Sequence, residues 1–205
     1  MSGFTGTSIV ACGTVRREVR KLAADGVLDA DRLLFTTPGL HEWQRELEKQ
    51  LLRQLDKARA VSERVLVVYG ERCYLSPVDP SRNLDTLLRE QGAEYRRIRA
   101  KHCVDMLADE ARREEIAAGG KIYWLTPGWL EHWDHIFKDW DAGKANEMFP
   151  AYDKAVVLDA LGYYDDLCAS DPEKILRIAD WMKIPLESHP VGLERLAELL
   201  AAETA

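Results

Sequence analysis

Three of the four cysteines follow segments whose composition predicts β-strands, and this placement is the first indication of chemistry. Cys12 comes directly after the first such segment, Cys73 a few residues after the third, and Cys103 shortly after the fourth. Because ligands of parallel α/β sheets bind at the carboxyl ends of the strands, we expect the three thiols to lie close together at that edge. Thiolates are preferred ligands of zinc and of iron–sulfur clusters. We therefore predict a metal site formed by Cys12, Cys73 and Cys103, with zinc favoured because it accepts mixed ligands.

His102 stands beside Cys103 and is the candidate for a catalytic acid or base, or for a fourth ligand. Three cysteines alone would leave a coordination position open to water or substrate. No Cys-x-x-Cys pair occurs, so the spacing is not that of a zinc finger. Two alternatives remain open: a thiol-redox enzyme that uses two of the cysteines, and a non-catalytic accessory or ligand-binding protein in which they are small buried residues. Cys168 does not follow a strand, and we interpret it as a packing or surface residue.

Residues at two predicted helix starts are candidates for binding an anionic cofactor. Gly13 and Thr14 follow the first strand, and Thr126 and Gly128 follow a later one. Backbone N–H groups at a helix start point outward as donors and favour anions. The chain contains neither Gly-x-Gly-x-x-Gly nor a Walker sequence, which argues against a dinucleotide or P-loop site.

A tryptophan-rich segment carries two histidines that could line a cleft together with His41. His132 and His135 are three residues apart and could share one face of a helix. The same segment contains Trp129 and Trp133, a pattern more typical of a helix that packs against a core. In an accessory protein, these tryptophans would instead be partly exposed as a contact surface.

Strand and helix patterns alternate along the chain and must position these residues. Short β-branched runs predict strands, and apolar residues at steps of three and four predict helices. This alternation predicts an α/β fold, Rossmann-like, with a mostly parallel sheet and helices on both faces. The predicted strands are 8–11, 32–35, 64–69, 95–98 (an edge strand), 122–125, 155–158 and 186–188, and the predicted helices are 14–24, 40–60, 84–91, a segment from Cys103 to about 118, 126–140, 172–182 and 192–202.

A weak internal repeat bears on domain organisation. A Thr-Pro-Gly turn stands between a strand and a helix with His and Trp at 37–39 and again at 126–128. The length of 205 residues suits a single domain over 1–205. The repeat suggests a pseudo-duplication with half-domains of about 1–100 and 101–205. The alternative is that Thr-Pro-Gly is simply a favourable way to begin a helix.

Composition excludes several classes of partner. The net charge is -7, which disfavours binding to nucleic acid and to anionic membrane surfaces. No segment approaches the ~20 apolar residues needed to span a bilayer, and no signal peptide is visible at the start. We therefore expect no nucleic acid and no membrane as partners, and a cytoplasmic location in which the thiols stay reduced.

Several short motifs together resemble an uncharacterised family, domain of unknown function 1638. They are Ala11-Cys12-Gly13, the segment 69–73, the pair His102-Cys103 and the segment 122–130. The resemblance spans about residues 9–158, and Tyr-x-Leu-Thr-Pro-Gly-Trp within the last segment is its most specific part.

The resemblance implies a role near one-carbon or corrinoid-linked methyl metabolism, because some members lie beside genes for corrinoid-dependent methyl transfer. It thus implies a small-molecule ligand or a corrinoid or methyl-transfer protein as partner. The family often carries Tyr-Gly-x-Cys-Gly, whereas here two residues separate Gly70 from Cys73 and Tyr74 replaces the glycine. That difference alters the loop around Cys73 but keeps the thiol.

Overall fold

The computed structural model describes residues 3–92 and 95–203, which form two parallel β-sheets with intervening helices. All strand pairs within this part of the chain are parallel, so the predicted α/β class is confirmed. The strands divide between two sheets, of order β2-β1-β3-β4 and β5-β6-β7. The strands are β1 (Thr7–Ala11), β2 (Arg32–Phe35), β3 (Arg64–Val68), β4 (Tyr95–Arg97), β5 (Ile122–Leu125), β6 (Lys154–Asp159) and β7 (Leu186–Pro190).

The centre of the first sheet is its most apolar part. β1 is buried along its whole length, and β3 is buried from Val65 to Val68. Continuous β-branched and aliphatic runs of this kind suit strands that are covered on both faces. β4 carries Arg96 and Arg97 and lies at the edge, as its alternating charges predict.

The helices largely follow the apolar periodicity of the sequence, with breaks at residues that cap or interrupt them. α2 buries Leu47, Leu51 and Leu55 on one face, in the spacing that predicts it, and packs against the first sheet. The α-helices are α1 (Arg16–Ala24), α2 (Gln44–Arg59), α3 (Leu84–Gln91), α4 (Glu110–Ala117), α5 (Pro127–Glu131), α6 (Trp133–Ile136), α7 (Ala142–Met148), α8 (Tyr163–Ser170), α9 (Pro172–Met182) and α10 (Glu194–Ala201).

Three predicted helices are shorter than expected. The segment after Cys103 forms one 3₁₀ turn, Val104–Met106, and α4 begins only after Asp109, whose side chain accepts the Arg112 N–H at 2.9 Å and so starts a new helix. The predicted helix 40–60 is a 3₁₀ turn followed by α2, and the predicted helix 126–140 is divided into α5 and α6. α7 and α8 have no counterpart in the prediction.

The C-terminal helix returns to the first sheet. Leu196 and Leu200 of α10 are fully buried in the core formed by β1, β3 and α2, although β7 directly before it belongs to the second sheet. The two sheets fall on either side of residue 100, as the half-domain interpretation suggests, but α10 does not follow that division.

The two Thr-Pro-Gly segments lie where the sheets meet. A Cβ placed on Gly39 would stand 2.6 Å from Ile136 of the second half, and one on Gly128 would stand 2.2 Å from the Thr14 carbonyl oxygen of the first. Neighbouring rings also cross over, since His41 packs on Trp129 with ring centroids 5.2 Å apart. Each copy of the repeat therefore contacts the opposite half.

No helix in the described part of the chain is both long and apolar enough to cross a membrane.

Candidate functional site

The three predicted thiols follow neighbouring strands of the first sheet. Cys12 comes directly after β1, Cys73 ends a 3₁₀ turn after β3, and Cys103 follows the loop after β4. β1, β3 and β4 are adjacent in the sheet and parallel, so their carboxyl ends open at the same edge. The topology thus brings together residues that are far apart in the sequence.

The thiols are close enough to influence one another's titration. Burial raises the pKa of Cys73, and the neighbouring Cys12 and Cys103 raise it further. Burial raises the pKa of Cys103 to about 11, with Cys12 as the next cause. All three pairs interact, so the sulfurs form one group, and each thiol stays protonated at neutral pH.

Glycines allow the loops that carry these cysteines to approach one another. A Cβ on Gly70, before the Cys73 turn, would lie 2.4 Å from the Cα of His102. A Cβ on Gly13, after Cys12, would lie 2.5 Å from the Thr36 carbonyl oxygen. Any larger residue would separate the chain ends that hold the thiols.

Hydrogen-bond donors surround two of the sulfurs. The Cys12 sulfur lies 3.1 Å from the Thr14 hydroxyl, and the Tyr69 hydroxyl and the Gly39 backbone N–H also lower its pKa. The Thr14 hydroxyl and the buried Trp129 indole N–H, which has no hydrogen-bond partner among the described residues, lower the pKa of Cys103 against the effect of burial. Donors directed at sulfur stabilise the thiolate, so this surrounding partly offsets the cost of ionising a buried thiol.

His102 is half-buried and held by its own loop. Its Nδ1 accepts the Asp105 backbone N–H at 3.3 Å, which leaves Nε2 to carry the proton of the neutral ring. Burial lowers the pKa of His102, and the positive charge of Arg113 lowers it further, so the ring is neutral at pH 7. A neutral ring with a free Nε2–H is arranged to donate a hydrogen bond.

A cavity of about 540 Å³ opens beside the thiols, within the size range of small-molecule sites. Cys73, Cys103 and His102 lie on its wall. Aromatic residues from β5, α5 and the segment before β6 also line it, and α4 supplies charged residues. The remaining lining residues are His41, Arg72, Val104, Glu110, Arg113, Glu114, Ala117, Gly120, Ile122, Tyr123, Trp124, Trp129 and Tyr152.

The residues predicted to bind an anionic cofactor do not belong to the cavity wall. Gly13, Thr14, Thr126 and Gly128 are buried and contact one another, and the Thr126 hydroxyl donates to the Thr14 carbonyl at 3.1 Å. None of the four lines the cavity described above. Their geometry gives them a packing role between the halves, and their binding role stays a prediction.

The other aromatic and cysteine candidates divide between the cavity and the cores. Of the three histidines predicted to line a cleft, His41 lines the cavity, His132 lies 3.8 Å from Glu131 outside the cavity lining, and His135 packs against Trp43 with ring centroids 6.1 Å apart. Trp129 and Trp133 are buried, so the packing interpretation of their segment is confirmed. Cys168 packs at the edge of the second core, as its position outside the strand ends suggests.

Two arginines that line the cavity were not among the site residues predicted from the sequence. Arg113 has only 8% of its surface exposed, although it lies in a helix with mostly charged residues. Arg72 precedes Cys73 directly; its side chain is exposed and also lines the cavity. Its position beside a candidate ligand was the available indication, whereas nothing in the local pattern distinguishes Arg113 from Arg112.

Within the described residues, the side chains form no group of three or more His, Cys, Asp or Glu that could hold a metal ion as they are placed. The Cys12 sulfur faces Thr14, and each cysteine has a single χ1 torsion that sets where its sulfur points.

Comparisons with known proteins give one match. Neither the curated proteins nor the solved structures show a significant similarity to the chain. The family model described as "Protein of unknown function (DUF1638)" matches residues 35–200, which include Cys73, His102 and Cys103. The match begins after Cys12 and extends beyond residue 158. It therefore starts and ends later in the chain than the motif resemblance, which spans about residues 9–158. Because it covers most of the 205 residues, the chain belongs to the DUF1638 family.

Proposed function

We propose that the chain binds a thiophilic metal ion, zinc in the first instance, through Cys12, Cys73 and Cys103. The observation that carries this proposal is the meeting of three thiols from three neighbouring strand ends, each raising the pKa of another. Buried thiols that repel one another as thiolates gain most from a divalent cation, which removes that repulsion.

The residues around the thiols fit this donor set. The Thr14 hydroxyl lies 3.1 Å from the Cys12 sulfur, and the unpaired Trp129 indole N–H is buried nearby, so a thiolate at either position would find hydrogen-bond donors close at hand, as metal ligands commonly do. Zinc would require each sulfur at ~2.3 Å, so the proposal includes a change in the χ1 torsions of the cysteines when the metal binds. Gly70 allows the loop before Cys73 to approach the backbone of His102.

Three thiolates would leave a fourth position on zinc, and two of the cysteines, Cys73 and Cys103, line the cavity. When bound there, zinc supplies Lewis acidity that lowers the pKa of a water or thiol at the open position. His102 would hold such a group through its Nε2–H, because its Nδ1 is already occupied by Asp105. The aromatic wall would exclude water from the rest of the cavity.

The test is the metal content of the untagged protein, purified without oxygen and analysed by mass spectrometry. We expect about one equivalent of zinc, reduced to below about a tenth in Cys73→Ser and Cys103→Ser. The control is Cys168→Ser, which removes a thiol outside the site and keeps the metal. Cobalt substitution gives a second readout, because each lost thiolate weakens the sulfur-to-cobalt absorption. Metal-free wild-type protein that also fails to take up added zinc or cobalt would overturn the proposal.

A thiol-redox function is the second candidate, since the same contacts that suit a metal would allow two of the thiols to pair. Mild peroxide followed by counting of free thiols separates the two. A metal site predicts release of zinc on oxidation, whereas a redox site predicts the clean loss of two thiols from metal-free protein and their recovery with a dithiol. An accessory role without chemistry is less favoured, because the contact surface it predicts consists of Trp129, Trp133 and Trp140, of which the first two are buried and only Trp140 is partly exposed.

The setting of the proposed function follows the sequence. A cytoplasmic, reducing location would keep the thiols available for metal. The link to one-carbon or corrinoid metabolism, with a small molecule or a methyl-transfer protein as partner, rests on the family resemblance alone.

A further inference from the structure

The cavity beside the thiols has two walls of different chemistry. Tyr123, Trp129 and Tyr152, which pack with the second core, form the aromatic wall of the cavity, and Trp124 lines it from the other face of β5. Aromatic faces favour flat ligands that stack on them and exclude water. The cavity is also lined by Arg72 and Arg113, and arginines bind carboxylates, sulfonates and phosphates in planar pairs.

Arg113 is a buried cation with unused hydrogen-bonding capacity. Its Nη1 donates to the Ala108 carbonyl and lies 3.4 Å from Asp105, whereas its Nε and Nη2 have no partner among the described residues. Asp105 also pairs with Arg195 at 3.4 Å and accepts the Lys101 backbone N–H. One carboxylate thus faces two guanidinium groups, and Arg113 retains positive charge on the cavity wall.

Arg72 adds a second charge on the same side. Its guanidinium makes no ion pair or hydrogen bond with the part of the chain that the structure describes, whereas the nearby Lys101 is paired with Glu110 at 2.6 Å. Two carboxylates line the cavity, and the second of them, Glu114, makes no ion pair with a described residue.

We propose that this cavity binds a flat aromatic ligand that carries an anionic group, with the ring against the aromatic wall and the anion between Arg72 and Arg113. This inference deepens the proposed function by naming the ligand class that lies beside the metal, but the arginines and aromatic residues hold it without the metal. The anion can be a carboxylate, sulfonate or phosphate, because a guanidinium recognises the oxygens that these groups share.

The test uses two fluorescent compounds that differ in one group: 8-anilinonaphthalene-1-sulfonate, and its neutral counterpart N-phenyl-1-naphthylamine. Both are titrated into folded wild-type protein, with near-ultraviolet circular dichroism to confirm the fold of each variant. We expect one sulfonate bound per chain, about tenfold more tightly than the neutral compound. Higher salt should weaken the sulfonate and leave the neutral compound unchanged.

Arg72→Met should weaken the sulfonate about tenfold and change the neutral compound less than about twofold. The matched control is Arg112→Met, which removes an exposed arginine of α4 that pairs with Glu115 outside the cavity. Arg113→Lys keeps the charge but not the planar donor pair, and should have an intermediate effect. Absence of one-to-one sulfonate binding, equal affinity for the two compounds, or no effect of Arg72→Met would overturn the proposal.

Each titration is run with chelator-treated and with zinc-treated protein. Sulfonate binding without any zinc uptake would remove the metal function and leave this inference standing. Zinc uptake with no preference for the sulfonate would do the reverse.

Discussion

Glu18 shows how far a single side chain can depart from its ordinary chemistry in this protein. Its carboxylate is fully buried in α1, and neither oxygen has a hydrogen-bond partner among the described residues. Burial raises its pKa to about 7, and Asp159 of β6 and Glu131 of α5 add to the rise, whereas Arg17 opposes it. At neutral pH this residue therefore lies at the midpoint of its titration.

Glu18 should make the protein less stable as the pH rises. The folded-state pKa lies above the unfolded value of 4.5, so the unfolded chain loses its proton first and stability falls between about pH 4.5 and 7. We expect wild-type protein to lose about 2 to 3 kcal/mol more than Glu18→Gln between pH 5 and pH 8, measured by urea unfolding. Glu147→Gln, which changes an exposed carboxylate, should follow the wild type. Parallel pH profiles for wild type and Glu18→Gln would contradict this account.

The loops that end the strands decide whether the cysteines meet. Short 3₁₀ turns, rather than long helices, follow β1, β3 and β4, and each begins or ends at one of the three cysteines. Glycine stands where two of these loops touch. The contact between the Gly70 and His102 backbones is therefore the feature on which the relative position of Cys73 and Cys103 depends.

Replacing Gly70 by alanine should disturb this arrangement. The new methyl group would stand 2.4 Å from the His102 Cα, so one loop must move. We expect a loss of about 1 to 3 kcal/mol in unfolding free energy, typical of overpacking, together with weaker zinc or cobalt binding. Gly143→Ala, in the exposed α7, should leave metal binding unchanged and be neutral or slightly stabilising. Full metal affinity in Gly70→Ala would show that the loop contact does not position the thiols.

Sequence periodicity was sufficient to predict most helices and strands, but it did not predict the conformation of the loops. β2, α3, β5 and α9 have the predicted limits, because their apolar patterns and caps are local. The helix expected after Cys103 was wrong because Asp109 caps a new helix, a competition between side chain and backbone that apolar spacing does not reveal. α8 was missed because its first turn carries Asp165 and Asp166 and it buries little more than Leu167.

The candidate site was predictable only in part: the placement of the cysteines could be predicted, and the cavity could not. The order of the strands placed the cysteines at one edge, which needs only parallel pairing. The cavity was not predictable, because Tyr123 and Tyr152 face the thiols only through the packing of one half on the other. Arg113 owes its burial to Asp105, Ala108 and that same packing.

The two halves of the chain contact each other directly, in addition to being connected through the backbone. The two Thr-Pro-Gly segments contact opposite halves, and α10 leaves the second sheet to complete the first core. The cavity lies between the halves, so its shape depends on these contacts. We therefore expect the two sheets to unfold together.

Leu196→Ala tests this coupling. The side chain is fully buried in the first core, so its truncation should cost about 2 to 5 kcal/mol. Tryptophan fluorescence reports mainly on the second half, because five of the six tryptophans, all except Trp43, lie there. We expect urea transitions followed by fluorescence and by far-ultraviolet circular dichroism to coincide and to shift together. Leu176→Ala, at an exposed position of α9, is the control. A fluorescence transition that does not move would show two independent units.

The return of α10 also bears on how the chain is made. A ribosome releases β1 to β4 early, but the hydrophobic core around them lacks Leu196 and Leu200 until α10 has emerged. The first core can therefore close only after the strands of the second sheet have been made, although most of its residues are the earliest to leave the ribosome.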